Sequence, residues 1–259
     1  MTPTSPPVQV LPGRPGAPVF FTCEHAGRAL PPGVRLRRAD HPWMRTHWAW
    51  DPGAAALCRA LARHFGAAAM LAPVSRLWID PNRAPDDPTL IRAEVEGHAL
   101  SFNTGLGPAE WAARVASHHA PYHAAAEAAA RAAQATGARL LVSCHTFTPL
   151  YLGQPRAVEM GVLFDESGVA RGAALTAHLA AAGWDCRENE PWSGMDNLIY
   201  GPARAAAAAG LPYLEIELRN DLATDRRRRA AAVRDIAAGL RALLGVPPPQ
   251  PGRTKPTRV

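Results

Sequence analysis

The chain has 259 residues, enough for one α/β domain with a large core, and a formal net charge of +6 at pH 7. Its basic residues are almost all arginine and are scattered along the chain, which does not indicate a nucleic-acid-binding surface. No stretch of about 18 apolar residues predicts a membrane span, and neither a CxxC pair nor a secretory signal is present, so we expect a cytoplasmic protein without nucleic-acid or membrane partners.

Composition divides the chain into a core and two tails. Residues 1–17 and 246–259 are rich in Pro, Gly and Thr, which predicts disordered tails. Between them, residues 18–245 alternate short apolar runs with alanine-rich amphipathic segments, as a single α/β domain does.

The apolar pattern of this domain predicts strands that alternate with helices. Such an alternation is typical of a largely parallel sheet covered by helices on both faces. In chain order we predict a strand at 18–23, a helix from 51 to about 66, strands at 67–71 and 76–79, a helix at 109–136 interrupted near Pro121, strands at 139–144 and 159–164, helices at 167–182 and 203–209, a strand at 213–219 and a closing helix at 223–244.

Two histidines follow apolar runs, at the points where buried strands are expected to end. His25 follows VFFTCE and His145 follows ARLLVSC. In an α/β fold, the carboxyl ends of the strands deliver side chains into the ligand crevice. Two neutral imidazoles in one crevice are the start of a zinc site. Taken singly, each histidine also has the ordinary interpretation of a buried core residue.

Asp51 is the first candidate for a third ligand. Because Pro52 follows it, Asp51 is also a typical N-cap for the helix predicted there. If the start of this helix lies at the crevice, His25, Asp51 and His145 supply two imidazoles and one carboxylate. That is the donor set of a catalytic zinc with one open position.

The strand at 213–219 carries its ionisable side chains on one face. Glu215, Glu217 and Arg219 alternate with apolar residues and therefore point the same way. On a strand covered on both faces, such groups are costly unless they are paired or functional; the alternative is an edge strand with a solvated face. As a wall of the crevice, this strand would supply Glu217, which is nearer its carboxyl end than Glu215, as a general base and Arg219 as a carboxylate-binding residue.

The segment SRLWIDPNR, residues 75–83, is dense in polar groups. Asp-Pro-Asn is a turn signal, so one interpretation is a turn with flanking salt bridges. The other is a substrate-binding loop that contains Arg76, Asn82 and Arg83, in which one of the arginines holds a substrate carboxylate.

Three further segments have a structural and a functional interpretation. Residues 151–156 and 189–196, the latter with Trp192, either shape the pocket or are surface connections. The run Arg226 to Arg229 predicts the solvated start of a helix, with a binding surface as the alternative.

Seven segments between residues 18 and 244 form an ordered set: EHAG (24–27), WDPGA (50–54), SRLWIDPNR (75–83), SCHTFTP (143–149), GVLFD (161–165), NEPWSG (189–194) and EIELRNDL (215–222). Together, and in this order, they resemble the N-formylglutamate amidohydrolase family. The resemblance implies a phosphorylase/hydrolase-like fold, a three-layer αβα sandwich with a mostly parallel mixed sheet, as in zinc-dependent exopeptidases.

The resemblance also implies a role for individual residues. His25 and His145 match the two histidine ligands of the metal. Asp51 occupies the place, at the start of the helix after the first histidine, that holds the carboxylate ligand in related cell-wall amidases. The end of EIELRND resembles the carboxypeptidase segment that carries the catalytic base, which matches Glu217.

The carboxylate ligand has an alternative in Glu24. In the carboxypeptidase pattern a glutamate follows the first histidine by three residues, and this chain has Arg28 there. Adjacent side chains on a strand diverge, which argues against Glu24 and His25 binding the same ion and favours Asp51, although a bent strand end would remove that objection.

The activity that the resemblance implies is hydrolysis of an acylated amino acid, with one Zn²⁺ per chain. N-Formyl-L-glutamate would give formate and L-glutamate, a closing step of histidine degradation, and Arg76, Arg83 or Arg219 would bind its carboxylates. Three alternatives remain: a related zinc amidase or deacylase with another amide substrate, including cell-wall peptide amides; a non-catalytic binding protein on the same fold; and an arginine-rich nucleic-acid binder.

Overall fold

The computed structural model describes residues 8–196 and 198–247. The strands are β1 (Gln9–Leu11), β2 (Val19–Cys23), β3 (Ala69–Leu71), β4 (Glu94–Val95), β5 (His98–Ala99), β6 (Leu140–Phe147), β7 (Leu150–Tyr151), β8 (Gln154–Pro155), β9 (Met160–Leu163), β10 (Cys186–Glu188) and β11 (Tyr213–Arg219). The α-helices are α1 (Ala54–Phe65), α2 (Pro108–Arg114), α3 (Ala120–Ala135), α4 (Val169–Ala181), α5 (Tyr200–Ala209), α6 (Asn220–Thr224) and α7 (Arg226–Leu244). Within the described residues, no helix is both long and apolar enough to span a bilayer.

Seven strands form one mixed sheet in the order β1-β3-β2-β6-β11-β9-β10. Strands β3, β2, β6 and β11 run parallel to one another, and β10 is parallel to β9. Edge strand β1 pairs antiparallel with β3, and β9 pairs antiparallel with β11. Every residue of β2 and β6 is buried, as expected for central parallel strands covered on both faces. The mostly parallel mixed sheet is confirmed.

Helices cover both faces of this sheet and complete three layers. On one face, α1, α4 and α7 pack on the sheet through apolar residues such as Leu57, Leu179 and Ile236. On the other face, α3 and α5 present mainly alanines, together with Tyr122, to the sheet. Small side chains allow these two helices to lie close to each other and to the strands. The predicted αβα sandwich is therefore confirmed.

A third region, built by the long connections before α1 and before α2, lies over one end of the sheet. It has two small apolar clusters of its own, one around Met44, Leu77 and Leu100 and the other around Ile79 and Leu90. Because this region is stabilised by its own packing, it can form a wall above the strand ends.

Four predicted elements differ from the structure. Residues 9–11, predicted as part of a tail, form edge strand β1, because their backbone pairs with residues 69–71 of β3. Residues 76–79 form a turn, in which the Trp78 N–H donates to the Ser75 carbonyl, and not a strand. Residues 1–7 and 248–259 of the predicted tails lie outside the described residues.

The other two differences concern helices. The helix predicted at 109–136 has its irregularity at Val115–His119, a π-helical segment, and Pro121 lies in the first turn of α3, where its missing N–H costs little. The predicted closing helix is divided at Asp225, whose side chain accepts from the Arg227 and Arg228 N–H groups and caps α7. The arginine run 226–229 therefore forms the first turn of α7, and residues 226–228 are exposed.

Candidate metal centre and active-site cleft

The carboxyl ends of three neighbouring strands bring the central residues together. His25 lies two residues after the end of β2, and His145 lies near the end of β6, the strand next to it. On the other side of β6, the parallel register with β11 pairs Glu217 with His145. Because paired residues of parallel strands point to the same face, the glutamate is held beside the imidazole.

Asp51 reaches the same point from the turn before α1. Its backbone N–H donates to the His25 carbonyl at 3.0 Å. Its carboxylate Oδ2 lies 2.9 Å from His145 Nδ1 and 3.5 Å from His25 Nδ1, and it accepts from the Thr146 backbone N–H at 3.1 Å. The carboxylate faces the two histidines, so the predicted N-cap role is wrong.

The N-cap of α1 is Gly53. Its φ of 93° is in the left-handed region that glycine favours. A Cβ at this position would lie 2.6 Å from the Ala223 Cβ, so α1 packs against the chain after β11 through a residue without a side chain. This close packing holds the turn that carries Asp51 beside the strand ends.

A second pair of carboxylates lies behind the histidines. His25 Nε2 is 2.7 Å from Asp80 Oδ1, and His145 Nε2 is 3.0 Å from Glu24 Oε2. Both Nδ1 atoms are turned towards Asp51. Because a carboxylate only accepts, a proton on each Nε2 would donate to its acid and leave Nδ1 able to ligate a metal. Such outer carboxylates fix the tautomer and orientation of metal-binding histidines in other proteins.

The chemistry of His25, Asp51 and His145 fits a zinc ion, and one of their ligating atoms lacks a hydrogen-bond partner. The ligating atoms of His25, Asp51 and His145 all lie within 4.8 Å of one another, and the three side chains are buried. Among the described residues, His25 Nδ1 has no hydrogen-bond partner. Two imidazoles and a carboxylate with a fourth direction open to a cleft match the donor set of catalytic zinc.

Glu215 and Glu217 face the same centre. With His145 they form a second group whose ligating atoms lie within 4.8 Å of one another. The Oε2 atoms of both glutamates are buried and have no hydrogen-bond partner among the described residues. Burial raises the pKa of each carboxyl, and that of Glu217 well above its ordinary value, although the nearby His145 acts in the opposite direction.

The pKa of Asp51 is shifted in the opposite direction. Burial alone would raise the pKa of Asp51, but the charges of His25 and His145 hold it well below the ordinary value. Burial alone would lower the pKa of His145, and the Glu215 and Asp51 carboxylates raise it well above the ordinary value instead. The centre is thus rich in negative charge, which favours a bound cation.

The centre opens into a cleft of about 380 Å³. Arg76, Asn82 and Arg83, all three predicted as substrate-binding residues, line it. The Arg76 guanidinium donates from Nε and Nη2 to Asp80 Oδ2, at 3.1 and 2.8 Å. Asn82 Oδ1 accepts from the Gly201 N–H at 2.9 Å, which fixes the loop between the two arginines.

Arg219 does not line the cleft, contrary to the prediction. Its Nη1 donates to the backbone carbonyls of Arg156 at 3.2 Å and Ala157 at 2.9 Å. Its Nε and Nη2 donate to the two carboxylate oxygens of Asp221 at 2.9 and 3.2 Å. All three of its guanidinium nitrogens thereby donate within the protein, because Arg219 ends β11 next to the loop that follows β8.

Several residues of the centre and the cleft were predicted only as parts of a segment, or not at all. Asp80 lies in the segment 75–83, but its contact with His25 bridges 55 positions and has no local signal. Residues 151–156 and 189–196 do supply wall residues, namely Tyr151, Arg156 and Trp192. His47, Trp48 and Arg92 also line the cleft, and only the density of tryptophans in residues 43–50 could have drawn attention to the first two.

The sequence profile of the N-formylglutamate amidohydrolase family matches residues 17–224, which include every residue of this centre. The chain belongs to the N-formylglutamate amidohydrolase family. A search of curated proteins found no match. Membership in the N-formylglutamate amidohydrolase family supports hydrolysis of an amide bond in a small molecule.

Two solved structures have the same fold as this N-formylglutamate amidohydrolase family member. The gene product Atu2144 from Agrobacterium tumefaciens is 32% identical, with a TM-score of 0.79, and the match covers 92% of this chain and 93% of the other. N-Formylglutamate amidohydrolase from Ralstonia eutropha JMP134 is 23% identical, with a TM-score of 0.65, and the match covers 93% of this chain and 98% of the other. At that lower identity the second comparison supports the fold.

Proposed function

We propose that this protein is a zinc-dependent amidohydrolase that cleaves N-formyl-L-glutamate to formate and L-glutamate. The observation that supports it most directly is the convergence of His25, Asp51 and His145 beside Glu217, at the base of a cleft lined with arginines. Family membership supports the amide-hydrolysing chemistry, and the arginines suit an acidic amino-acid product.

In this proposal His25, Asp51 and His145 hold the zinc ion. Asp51 is preferred to Glu24 because its Oδ2 lies between the two Nδ1 atoms, whereas Glu24 contacts His145 at Nε2, on the outer side of the ring. Glu24 also accepts a hydrogen bond from the Tyr122 hydroxyl at 3.2 Å, which directs it away from the cleft. When bound, zinc would polarise the amide carbonyl and make water more acidic.

Glu217 is the proposed general base. It takes a proton from the attacking water as the water oxygen bonds to the formyl carbon. It then returns this proton to the amide nitrogen as the carbon–nitrogen bond breaks, so that formate and the amine leave. A carboxyl whose pKa is raised by burial suits this role, since it must both accept and release a proton.

Arg76, Asn82 and Arg83 are the proposed substrate-binding residues of the loop 75–83. Arg76 is already neutralised by Asp80, so it contributes mainly to the shape and field of the site. Arg83 lines the cleft and donates to two backbone carbonyls through Nη1 and to the Thr89 hydroxyl through Nε. In this proposal its Nη2 donates to a substrate carboxylate.

The proposal is tested by measuring release of L-glutamate from N-formyl-L-glutamate by the purified, zinc-loaded protein. For Glu217→Gln we expect kcat to fall about 10²–10⁴-fold with zinc content unchanged, because the variant cannot transfer the proton. Glu188→Gln, at an exposed position of β10, is the matched control and should keep full activity. Full activity of Glu217→Gln would reject the mechanism, and turnover of N-acetyl amino acids alone would reject the substrate.

A further inference from the structure

Four arginines line the cleft, and they differ in what neutralises them. Arg76 and Arg83 have acidic partners: Arg76 Nη2 lies 2.8 Å from Asp80 Oδ2, and Arg83 Nε lies 3.7 Å from Asp87 Oδ2. Within the described residues, neither Arg92 nor Arg156 has a carboxylate oxygen within 4.0 Å. These two guanidinium groups therefore line the cleft without a direct ion pair.

Arg156 is the more firmly held of the two. Its guanidinium carbon lies 4.4 Å from the ring centre of Tyr151, 4.6 Å from that of Trp192 and 5.8 Å from that of Phe147. Arg92 contacts one ring, that of Trp48, at 5.6 Å. Contacts between a guanidinium and aromatic faces stabilise the charge and orient its plane without using its N–H donors.

The backbone of Arg156 is held as well. Its N–H donates to the Pro149 carbonyl at 2.8 Å, and its own carbonyl accepts from Arg219 Nη1 at 3.2 Å. Arg219 is fixed in turn by Asp221. The loop that presents Arg156 is thereby tied to the end of β11, the strand that carries Glu217.

One buried nitrogen of this fixed guanidinium has no acceptor for its N–H groups. Arg156 Nη1 is buried and has no hydrogen-bond partner among the described residues. A buried N–H without an acceptor costs free energy, which a ligand can recover by accepting from it. An anionic acceptor gains most, because a charge-assisted hydrogen bond is roughly twice as strong as a neutral one.

We propose that Arg156, clamped by Tyr151 and Trp192, binds a carboxylate of the amide substrate and so selects N-acyl amino acids that carry that carboxylate. This inference rests on the proposed function, since it identifies the residue by which the same cleft recognises its substrate. Preorganisation should make this contact contribute strongly to substrate binding. The two aromatic rings and Arg219 fix Arg156 before the substrate arrives, so little conformational entropy is lost on binding.

The test compares three substrates that differ in one carboxylate. They are N-formyl-L-glutamate, N-formyl-L-glutamine, which lacks the side-chain carboxylate, and the α-amide of N-formyl-L-glutamate, which lacks the other. For Arg156→Gln we expect kcat/KM on N-formyl-L-glutamate to fall about 10–100-fold, chiefly through KM. On the amide that lacks the carboxylate bound by Arg156, the loss should be threefold or less, about the size of one uncharged contact.

Two variants separate recognition from stability of the wall. Arg156→Lys keeps the charge but not the fork of donors, so it should lie between the wild type and Arg156→Gln. Arg241→Gln is the matched control, because Arg241 also stacks on an aromatic ring, that of Phe65 at 4.8 Å, but lies away from the cleft. It should leave all three kcat/KM values unchanged. An equal loss on all three substrates in Arg156→Gln, or no loss on any, would overturn the proposal.

A binding measurement keeps this proposal distinct from the proposed reaction. Calorimetric titration with glutarate probes carboxylate recognition whether or not any formyl compound is hydrolysed. The wild-type protein should bind glutarate about 10-fold or more tightly than Arg156→Gln does. If the wild type binds glutarate in this way but cleaves no N-formyl amino acid, the reaction is wrong and the recognition stands. If it cleaves N-formyl-L-glutamate but Arg156→Gln binds glutarate as well as the wild type, the recognition is wrong.

Discussion

Two pairs of buried histidines, which differ in their neighbours, lie in this protein. The rings of His25 and His145 meet edge to face with centres 4.6 Å apart, and those of His119 and His123 lie 4.3 Å apart. All four side chains are almost fully buried. By ring contact and burial alone, either pair could have been chosen as the start of a metal site.

The carboxylates distinguish the two pairs. Acidic oxygens surround His25 and His145, and they raise the pKa of His145 well above its ordinary value although burial lowers it. The second pair contacts the Arg83 carbonyl and Tyr200, and burial together with His119 lowers the pKa of His123 to about 3. Burial without adjacent acids therefore makes His119 and His123 a neutral packing pair. Burial beside several carboxylates makes His25 and His145 a candidate cation site.

Exchange of one histidine in each pair is expected to give the largest contrast. His145→Gln removes a proposed ligand, so zinc content should fall from about one per chain to near zero and kcat about 10³-fold or more. His123→Gln, the matched control, should retain zinc and most of the activity. Elemental analysis and L-glutamate release measure both quantities. Equal zinc loss in the two variants would show that folding, and not ligation, was lost.

A smaller effect is expected from replacing Glu24, the carboxylate behind His145. Glu24→Gln removes the negative charge behind His145, so zinc affinity should fall about 10–100-fold without loss of the site. Tyr122→Phe is the control, because it removes a donor to Glu24 but leaves the contact with His145. Competition with a chelator measures the dissociation constant. If Glu24→Gln lost zinc as completely as Asp51→Asn, Glu24 would be a direct ligand and the assignment would be reversed.

The smallest expected effect is on the pH dependence of stability, and it concerns the pair His119 and His123. The folded pKa of His123, about 3, is below the unfolded value of about 6.5, so the unfolded chain binds the proton more readily. The stability from this neutral histidine is complete above about pH 6.5 and is lost as the pH falls towards 3. The Tm of the wild type should therefore fall between pH 7 and pH 5 by more than that of His123→Gln. An exposed control, His41→Gln, should follow the wild type; identical slopes for all three proteins would contradict the assignment.

The position of the zinc pair could be predicted from the sequence because it depends on a rule of the fold. Apolar runs mark central strands, and residues that follow them reach the crevice, so His25 and His145 were expected to meet. Asp51 was predicted with two roles because its local sequence, Asp-Pro, is equally typical of an N-cap. The contact between its carboxylate and His145 spans 94 positions, and nothing in the local sequence distinguishes the two roles.

The substrate-binding arginines were harder to predict. Arg219 and Arg156 are adjacent in space, and the strand pattern correctly put Arg219 on the same face as Glu217. Arg219 is kept out of the cleft because its Nη1 donates to the backbone carbonyls of residues 156–158. Arg156 lines the cleft instead. The carbonyls of a loop and the aromatic rings around a guanidinium follow no sequence periodicity. A sequence pattern can therefore indicate the segment that lines a cleft, but not which of its residues does so.

The register of β6 with β11 also bears on how the chain folds. The centre needs residues from positions 24–25, 51, 145 and 217, and β6 must pair with both β2 and β11 before they meet. These pairings are among the most distant in the chain, and distant contacts form late because closing long loops costs entropy. A metal ion therefore finds the complete set of ligands only in the folded chain. Zinc is expected to slow unfolding of the finished protein rather than to accelerate folding.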